Sequence, residues 1–234
     1  MIVGAPICHR EWVIEDWLSH AVVALKHAGV SPSVLVVADP RDPSLVKLTK
    51  LCEARQIALR HVMVEDERNR DIRDWKPQRW QRMAYLRNQL LKGVRRLGPD
   101  LFLSLDSDIL LHPESISNMI ESLETRGWDC VGGKLYMTPN GRNAPSYAMF
   151  KRGSDGLVRP DSSNVMPVQV VMACKLMTPA AYSIDYDYHH LGEDIAWSKA
   201  CRENGLKLGW DGRVVNKHVM NRDMLKEIDS RVGF

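Results

Sequence analysis

Leu101-Phe102-Leu103-Ser104-Leu105-Asp106-Ser107-Asp108 is the stretch on which the fold turns. Its first five residues form a nearly continuous apolar run, the composition of a strand covered on both faces in an α/β sheet. Two carboxylates follow at once, so they emerge at the C-terminal edge of that strand, where open α/β sheets bind ligands. Neighbouring carboxylates repel and resist desolvation unless something cationic sits between or beside them. A hard divalent ion meets that need, because Mg²⁺ or Mn²⁺ uses one or two carboxylates and completes its shell with phosphate oxygens and water. The plainer reading is a loop with two solvated aspartates, one of them capping the next helix.

Outward from this stretch, short Val/Ile/Leu runs alternate with longer amphipathic segments, the rhythm of strand and helix layers. The pattern predicts strands over Ile2–Ala5, Ser33–Ala38, Ile57–Val64, Leu101–Leu105 and Cys130–Leu135. Helices are predicted over Glu11–His27, Ser44–Arg55, Pro77–Arg96 and Pro113–Arg126, with Gly29, Gly98 and Gly127 at helix ends. Thr138–Ser163, rich in Gly, Pro, Asn, Ser and Arg, reads as a long loop. Regular structure resumes at Pro167–Met177, followed by a helix over Glu193–Asn204, a strand over Lys207–Trp210, a Val214-Val215 segment and a short helix over Arg222–Asp229.

With 234 residues, 44% hydrophobic and 26% charged, the chain has the size and composition of one large domain with its own core. A formal charge of +3 is too mild to announce a nucleic-acid partner. The five cysteines are odd in number, widely spaced and never in a C-x-x-C pair, which argues against a disulfide framework or zinc ribbon and for a reducing, cytoplasmic setting. The first residues lack the basic and apolar regions of a signal peptide. No stretch approaches the roughly 18 apolar residues of a membrane span, so no transmembrane segment is expected.

At about 100° per residue, the third predicted helix places Trp80, Met83, Leu86, Leu90, Val94 and Leu97 on one broad stripe, with Arg87 projecting inside it. A buried guanidinium is costly unless paired. Arg87 therefore meets a phosphate at the sheet edge or an internal carboxylate such as Asp106.

These features resemble the GT-A glycosyltransferases, particularly family-2-like enzymes. That family often carries an Ala-Arg-Asn segment followed by a strand ending in Leu-Asp-x-Asp. The match here is Leu86-Arg87-Asn88, then Leu105-Asp106-Ser107-Asp108, with Asp106 lying 18 residues after Asn88. Val170–Met177 looks like the family's acceptor-side strand and Gly192-Glu193-Asp194 like its Glu-Asp motif. Asn216-Lys217-His218 resembles the late histidine that adds a metal ligand. The resemblance implies a Rossmann-like GT-A fold with a mixed, mainly parallel central sheet flanked by helices. It also implies a single catalytic domain over 1–234, with a nucleotide-sugar half over about 1–110, an acceptor half over about 111–220 and a tail over 221–234.

By the same resemblance, Pro6, Asp39, Arg87, Asp106, Ser107 and Asp108 form the donor site, with Asp39 on the base or ribose. Asp108, Asp106 and His218 are the implied ligands of Mn²⁺ or Mg²⁺. A UDP-sugar is the implied donor, GDP-sugars staying open, and the acceptor is a glycan, protein or lipid-linked carbohydrate. The first loop departs from the family pattern, since Pro6-Ile7-Cys8-His9-Arg10 replaces Pro followed by Tyr or Phe and Asn.

An inverting transfer needs a carboxylate to take the acceptor's proton. Asp194 is the candidate base and Glu193 its reserve. Acidic residues in a first helical turn also suit the helix dipole, and that plainer role stands beside the catalytic one. His218 likewise reads alternatively as an ordinary surface histidine. Trp75, Tyr136, Tyr147, Tyr182, Tyr186 and Tyr188 gather in or beside loops, where they offer flat faces to an acceptor, while Asp185 and Asp187 among them discourage a nucleic acid. Two rivals share parts of the pattern. A haloacid-dehalogenase-type phosphatase places D-x-D after its first strand, not its fourth, and a sugar nucleotidyltransferase opens with a glycine-rich basic loop that Gly4–Arg10 lacks.

Overall fold

The computed structural model describes residues 1–65, 77–137, 144–145, 149–153, 156–158 and 165–226. Its strands are β1 (Ile2–Pro6), β2 (Ser33–Ala38), β3 (Ala58–Met63), β4 (Phe102–Leu105), β5 (Ile109–Leu110), β6 (Cys130–Met137), β7 (Ala144–Pro145), β8 (Met149–Gly153), β9 (Gly156–Val158), β10 (Val165–Pro167), β11 (Val170–Val171), β12 (Cys174–Met177) and β13 (Leu208–His218). Its helices are α1 (Ile14–His27), α2 (Pro43–Ala54), α3 (Pro77–Leu97), α4 (Ser115–Arg126), α5 (Pro179–Tyr182), α6 (Glu193–Glu203) and α7 (Arg222–Lys226).

The main sheet runs β10-β13-β6-β12-β4-β1-β2-β3. β3, β2, β1 and β4 are mutually parallel, as the alternation of strands and helices in the first half requires. β12 then runs antiparallel to both β4 and β6, and β13 returns parallel to β6.

Side-chain alternation along the strands divides the core into two layers. Val3, Ala5, Val34, Val36, Leu103 and Leu105 pack with Trp17 and Leu18 of α1, Leu48 of α2 and Met119 of α4. Ile2, Leu35, Val37, Phe102 and Met177 pack on the other face with Leu90 and Val94 of α3 and Trp197 of α6. The sequence therefore buries both faces of the central strands, which is why they read as continuous apolar runs. α2 starts where Asp42 accepts the Ser44 N–H at 2.8 Å with Pro43 in the first turn, and α4 stops at left-handed Gly127.

Three expectations need correction. The segment read as a long loop carries β7, β8 and β9, with β8 paired to β9 and β11; its other residues lie outside the description. The Lys207–Trp210 and Val214-Val215 segments are one strand, β13, whose register against β6 shifts between Asp211 and Val215. That irregularity, with Asp211 and Arg213 inside it, hides the continuity from a simple pattern. The first helix begins at Ile14 rather than Glu11, because residues 11–13 form a turn. For the predicted C-terminal helix, residues 227–229 fall outside the described residues.

Candidate active site

Asp106, Ser107 and Asp108 leave β4 in a turn fixed by backbone bonds. The Asp106 N–H donates to the Ala173 carbonyl at 3.0 Å, the Ile109 N–H donates back to Asp106 at 3.0 Å, and the Val219 N–H donates to the Asp108 carbonyl at 2.8 Å. Alternation then decides where each aspartate faces. Phe102 and Ser104 point toward α3, and Asp106 continues that parity to meet Arg87 Nη2 at 2.9 Å. Asp108 turns elsewhere: its Oδ2 accepts from Arg10 Nη2 at 3.3 Å and its Oδ1 lies 3.4 Å from His218 Nε2.

The meeting of Asp108 and His218 follows from register. β5 pairs antiparallel with the end of β13, placing His218 opposite Ile109 and thus beside Asp108. The two sequence-predicted metal ligands Asp108 and His218 are therefore neighbours, whereas Asp106 is turned to Arg87. Among the described residues, these three do not converge as a close three-ligand group; Cys8, His9 and Asp42 do. Of the remaining donor-site candidates, Pro6 ends β1, Ser107 is buried in the turn, and Asp39 follows β2 with its carboxylate held by Arg41 at 2.9 Å.

Arg87 is 2% exposed, and its cost is met by a ring of partners. Nε donates to Glu193 Oε1 at 2.9 Å, Nη1 to Ser104 Oγ at 3.4 Å, and Nη2 lies 3.9 Å from Asp194 Oδ2 besides its bond to Asp106. The internal ion pair with Asp106 is thus present. Glu193 and Asp194 are buried in the first turn of α6 behind Gly192, a position the helix dipole favours for carboxylates.

Sequence reading missed Lys175. It sits on β12 with no exposed surface, hydrogen-bonded to Asp194, its ammonium 4.9 Å from the centre of the Trp197 ring and 5.0 Å from that of Tyr186. The register Lys175↔Ser104 places it on the face that carries Arg87. Like Arg87, Lys175 carries a signal in the sequence: a lone cation in the apolar run Val170–Met177 demands a buried partner. Arg10, on Asp108, offered no comparable signal because it lies in a polar loop.

Electrostatics separates the two acids of α6. Burial alone raises the Asp194 carboxyl, but Lys175 and then Arg87 override it and hold Asp194 below the ordinary carboxylate range. Burial, reinforced by Asp194, pushes Glu193 above its ordinary value against the pull of Arg87. Asp194 is therefore the more firmly ionised of the pair.

The expected aromatic platform is not a single surface. Tyr182 and Tyr186 are buried, Tyr186 stacking on Trp197 at 5.6 Å, while Tyr188 is exposed. Both buried tyrosines belong to the core because Asn88 fixes the backbone of Tyr186 through two hydrogen bonds and the Tyr182 hydroxyl donates to the Pro99 carbonyl at 2.7 Å. Trp75 and Tyr147 lie outside the described residues, as does the side chain of Tyr136.

The fold is the mixed α/β, GT-A-like arrangement of glycosyltransferases, with the acidic turn at the C-terminal end of β4. No family model matches the chain, and no curated protein matches it. Solved structures do. S. aureus TarS 1–349 in complex with UDP-GlcNAc aligns with a TM-score of 0.61 at 15% identity, covering 98% of this chain and 61% of that one. A second structure of S. aureus TarS 1–349 gives 0.59 at 13% identity, covering 93% and 60%, and one of S. aureus TarS gives 0.60 at 15%, covering 96% and 37%. TarS is a glycosyltransferase, and this chain spans less than two thirds of each of these three TarS chains. At these identities the likeness is one of fold. Among the described residues no helix is long and apolar enough to cross a membrane.

Proposed function

We propose that this chain is a metal-dependent glycosyltransferase that moves a sugar, with inversion, from a nucleotide-sugar donor to a glycan, protein or lipid-linked acceptor. The single observation that carries the reading is the convergence of Asp108 and His218, distant in sequence, at the edge of a GT-A-like sheet. A carboxylate and an imidazole form a partial donor set that suits a divalent cation and leaves positions for phosphate oxygens and water. Among the described residues the buried Nδ1 of His218 has no hydrogen-bond partner, so the Nε2 edge that faces Asp108 is the contact that orients the ring. Asp108 and His218 would hold Mn²⁺ or Mg²⁺, which when bound neutralises charge on the departing diphosphate. Asp106 is the reserve ligand, alongside its contact with the ribose or donor sugar.

The donor, in this reading, lies over the first half of the chain, with Pro6 and Asp39 near the nucleoside and Ser107 in the turn. UDP is the nucleotide of choice, supported by the UDP-GlcNAc in the TarS complex. Arg87 contributes positive charge beneath the acidic turn. Asp194 is the base, with Glu193 in reserve. Lys175 keeps Asp194 ionised but weakens it, so the proton moves late, once bond formation has acidified the acceptor hydroxyl. A cytoplasmic setting belongs to the same proposal and rests on five cysteines of which none forms a disulfide.

Thermal-shift titration with UDP, GDP and UDP-GlcNAc, with and without Mn²⁺, tests the donor site. A ligand at one hundred times its Kd adds about 2.7 kcal/mol, or about 5–11 °C for a chain of this size. The expected result is stabilisation by UDP that requires Mn²⁺ and disappears in Asp108→Ala. Stabilisation by no nucleotide under any metal condition removes the basis of the proposal.

A further inference from the structure

The loop between β1 and α1 carries donor atoms that the transferase reading leaves unused. Cys8 Sγ, a ring nitrogen of His9 and a carboxylate oxygen of Asp42 all lie within 4.8 Å of one another. Two separate segments supply them, Cys8 and His9 just beyond β1 and Asp42 at the start of α2. His9 has φ of 50°, a left-handed conformation that a non-glycine residue keeps only when its surroundings hold it. Two backbone bonds do so here. The His9 N–H donates to Asp42 Oδ2 at 2.9 Å and the Arg10 N–H to Ser44 Oγ at 2.6 Å, pinning the loop to the end of α2.

Asp42 also caps α2, and capping alone accounts for its bond to Ser44. It does not account for a thiol and an imidazole gathered beside the same carboxylate. Each Asp42 oxygen accepts one N–H, which leaves lone pairs for a further bond. Sulfur, nitrogen and oxygen together suit borderline cations of the Zn²⁺ class, whereas Mg²⁺ and Mn²⁺ favour oxygen. A thiolate and a carboxylate also neutralise a divalent ion, so neither Arg10 nor the positive end of α2 faces uncompensated charge.

We infer that Cys8, His9 and Asp42 form a second cation site, selective for a borderline divalent ion of the Zn²⁺ class and open at its remaining position. The site is distinct from Asp108 and His218 but adjoins them through Arg10, which follows His9 directly and bonds Asp108. Occupancy fixes the loop that aims Arg10.

Cobalt(II) titration of the full chain under reducing conditions tests the site, because a thiolate bound to Co²⁺ gives a near-ultraviolet charge-transfer band that oxygen ligands do not. Cys8 is the one exposed cysteine, the other four being buried, so Cys8→Ser removes the thiol with little risk to folding. The expected result is a band that saturates at one ion per chain, is discharged by Zn²⁺, persists in Asp108→Ala, vanishes in Cys8→Ser and needs at least tenfold more Co²⁺ in Asp42→Asn. Absence of the band, or an equal band in Cys8→Ser, overturns the inference. Persistence in Asp108→Ala separates this outcome from the fate of the proposed donor site.

Discussion

Replacing Lys175 by Met isolates the electrostatic centre of the molecule. Methionine fills a similar volume but leaves Asp194, 5% exposed, with Arg87 at 3.9 Å as its nearest cation. Removing one member of a buried ion pair costs about 3–5 kcal/mol. For a chain of this length that corresponds to a Tm lower by about 6–20 °C. The sign with pH follows from linkage. Without Lys175, burial raises the Asp194 carboxyl, so the variant's deficit grows as pH rises through that raised value and shrinks near pH 4. Urea denaturation followed by tryptophan fluorescence suits the measurement, since Trp197 lies beside the ammonium. The double variant Lys175→Met/Asp194→Leu removes both charges and should recover at least half of the loss. A single variant within about 1 kcal/mol of the parent, or a double variant as unstable as the sum of the singles, would refute the reasoning.

Two further outcomes are expected. A Cβ on Gly209 would lie 1.8 Å from Cε3 of Trp128, so Gly209→Ala should lose stability at or above the upper end of the ~1–3 kcal/mol typical of overpacking; an unchanged urea midpoint would mean that Trp128 swings aside. Asp194 and Asp211 are both held below the ordinary carboxylate value, Asp211 by Arg213 and Ser122 against the effect of its burial. Their stabilisation is present above that ordinary value of 3.8 and disappears as pH falls through their lowered native values. Urea midpoints from about pH 5 to about pH 3 should therefore fall steeply, and less steeply in Lys175→Met.

Much of this architecture can be read from residue order. The Val-rich run Ser33–Ala38 is β2 to the residue because both its faces are covered. Most of the stripe on α3 is plain because long helices average out local exceptions, although Leu97 at its end is exposed; the cost of burying Arg87 demands an anionic partner, phosphate or carboxylate, and the structure supplies carboxylates. β13 is less legible: glycines and the charged pair Asp211 and Arg213 interrupt its pattern, and Arg213 bonds Asp211, Ser122 and Glu121 at the register shift rather than facing solvent freely. The pairing of Asp108 with His218 depends on the register between β5 and β13, a long-range choice that no local propensity encodes. Lys175 was overlooked for a different reason, since one cation in a strand looks like an edge residue until the strand is known to be central.

The placement of β12 has a consequence for biosynthesis. β4 and β6 emerge from the ribosome before the strand that holds them apart in the sheet, and although the short β7 pairs with the last residues of β6, the neighbour along the rest of its other edge, β13, is later still. At about 5–20 residues per second, both strands wait on the order of seconds with hydrogen-bonding edges bare. Such edges template intermolecular pairing. A nascent chain halted before Cys174 should therefore be a client for edge-shielding chaperones, while one released after His218 has the partners to close its own sheet.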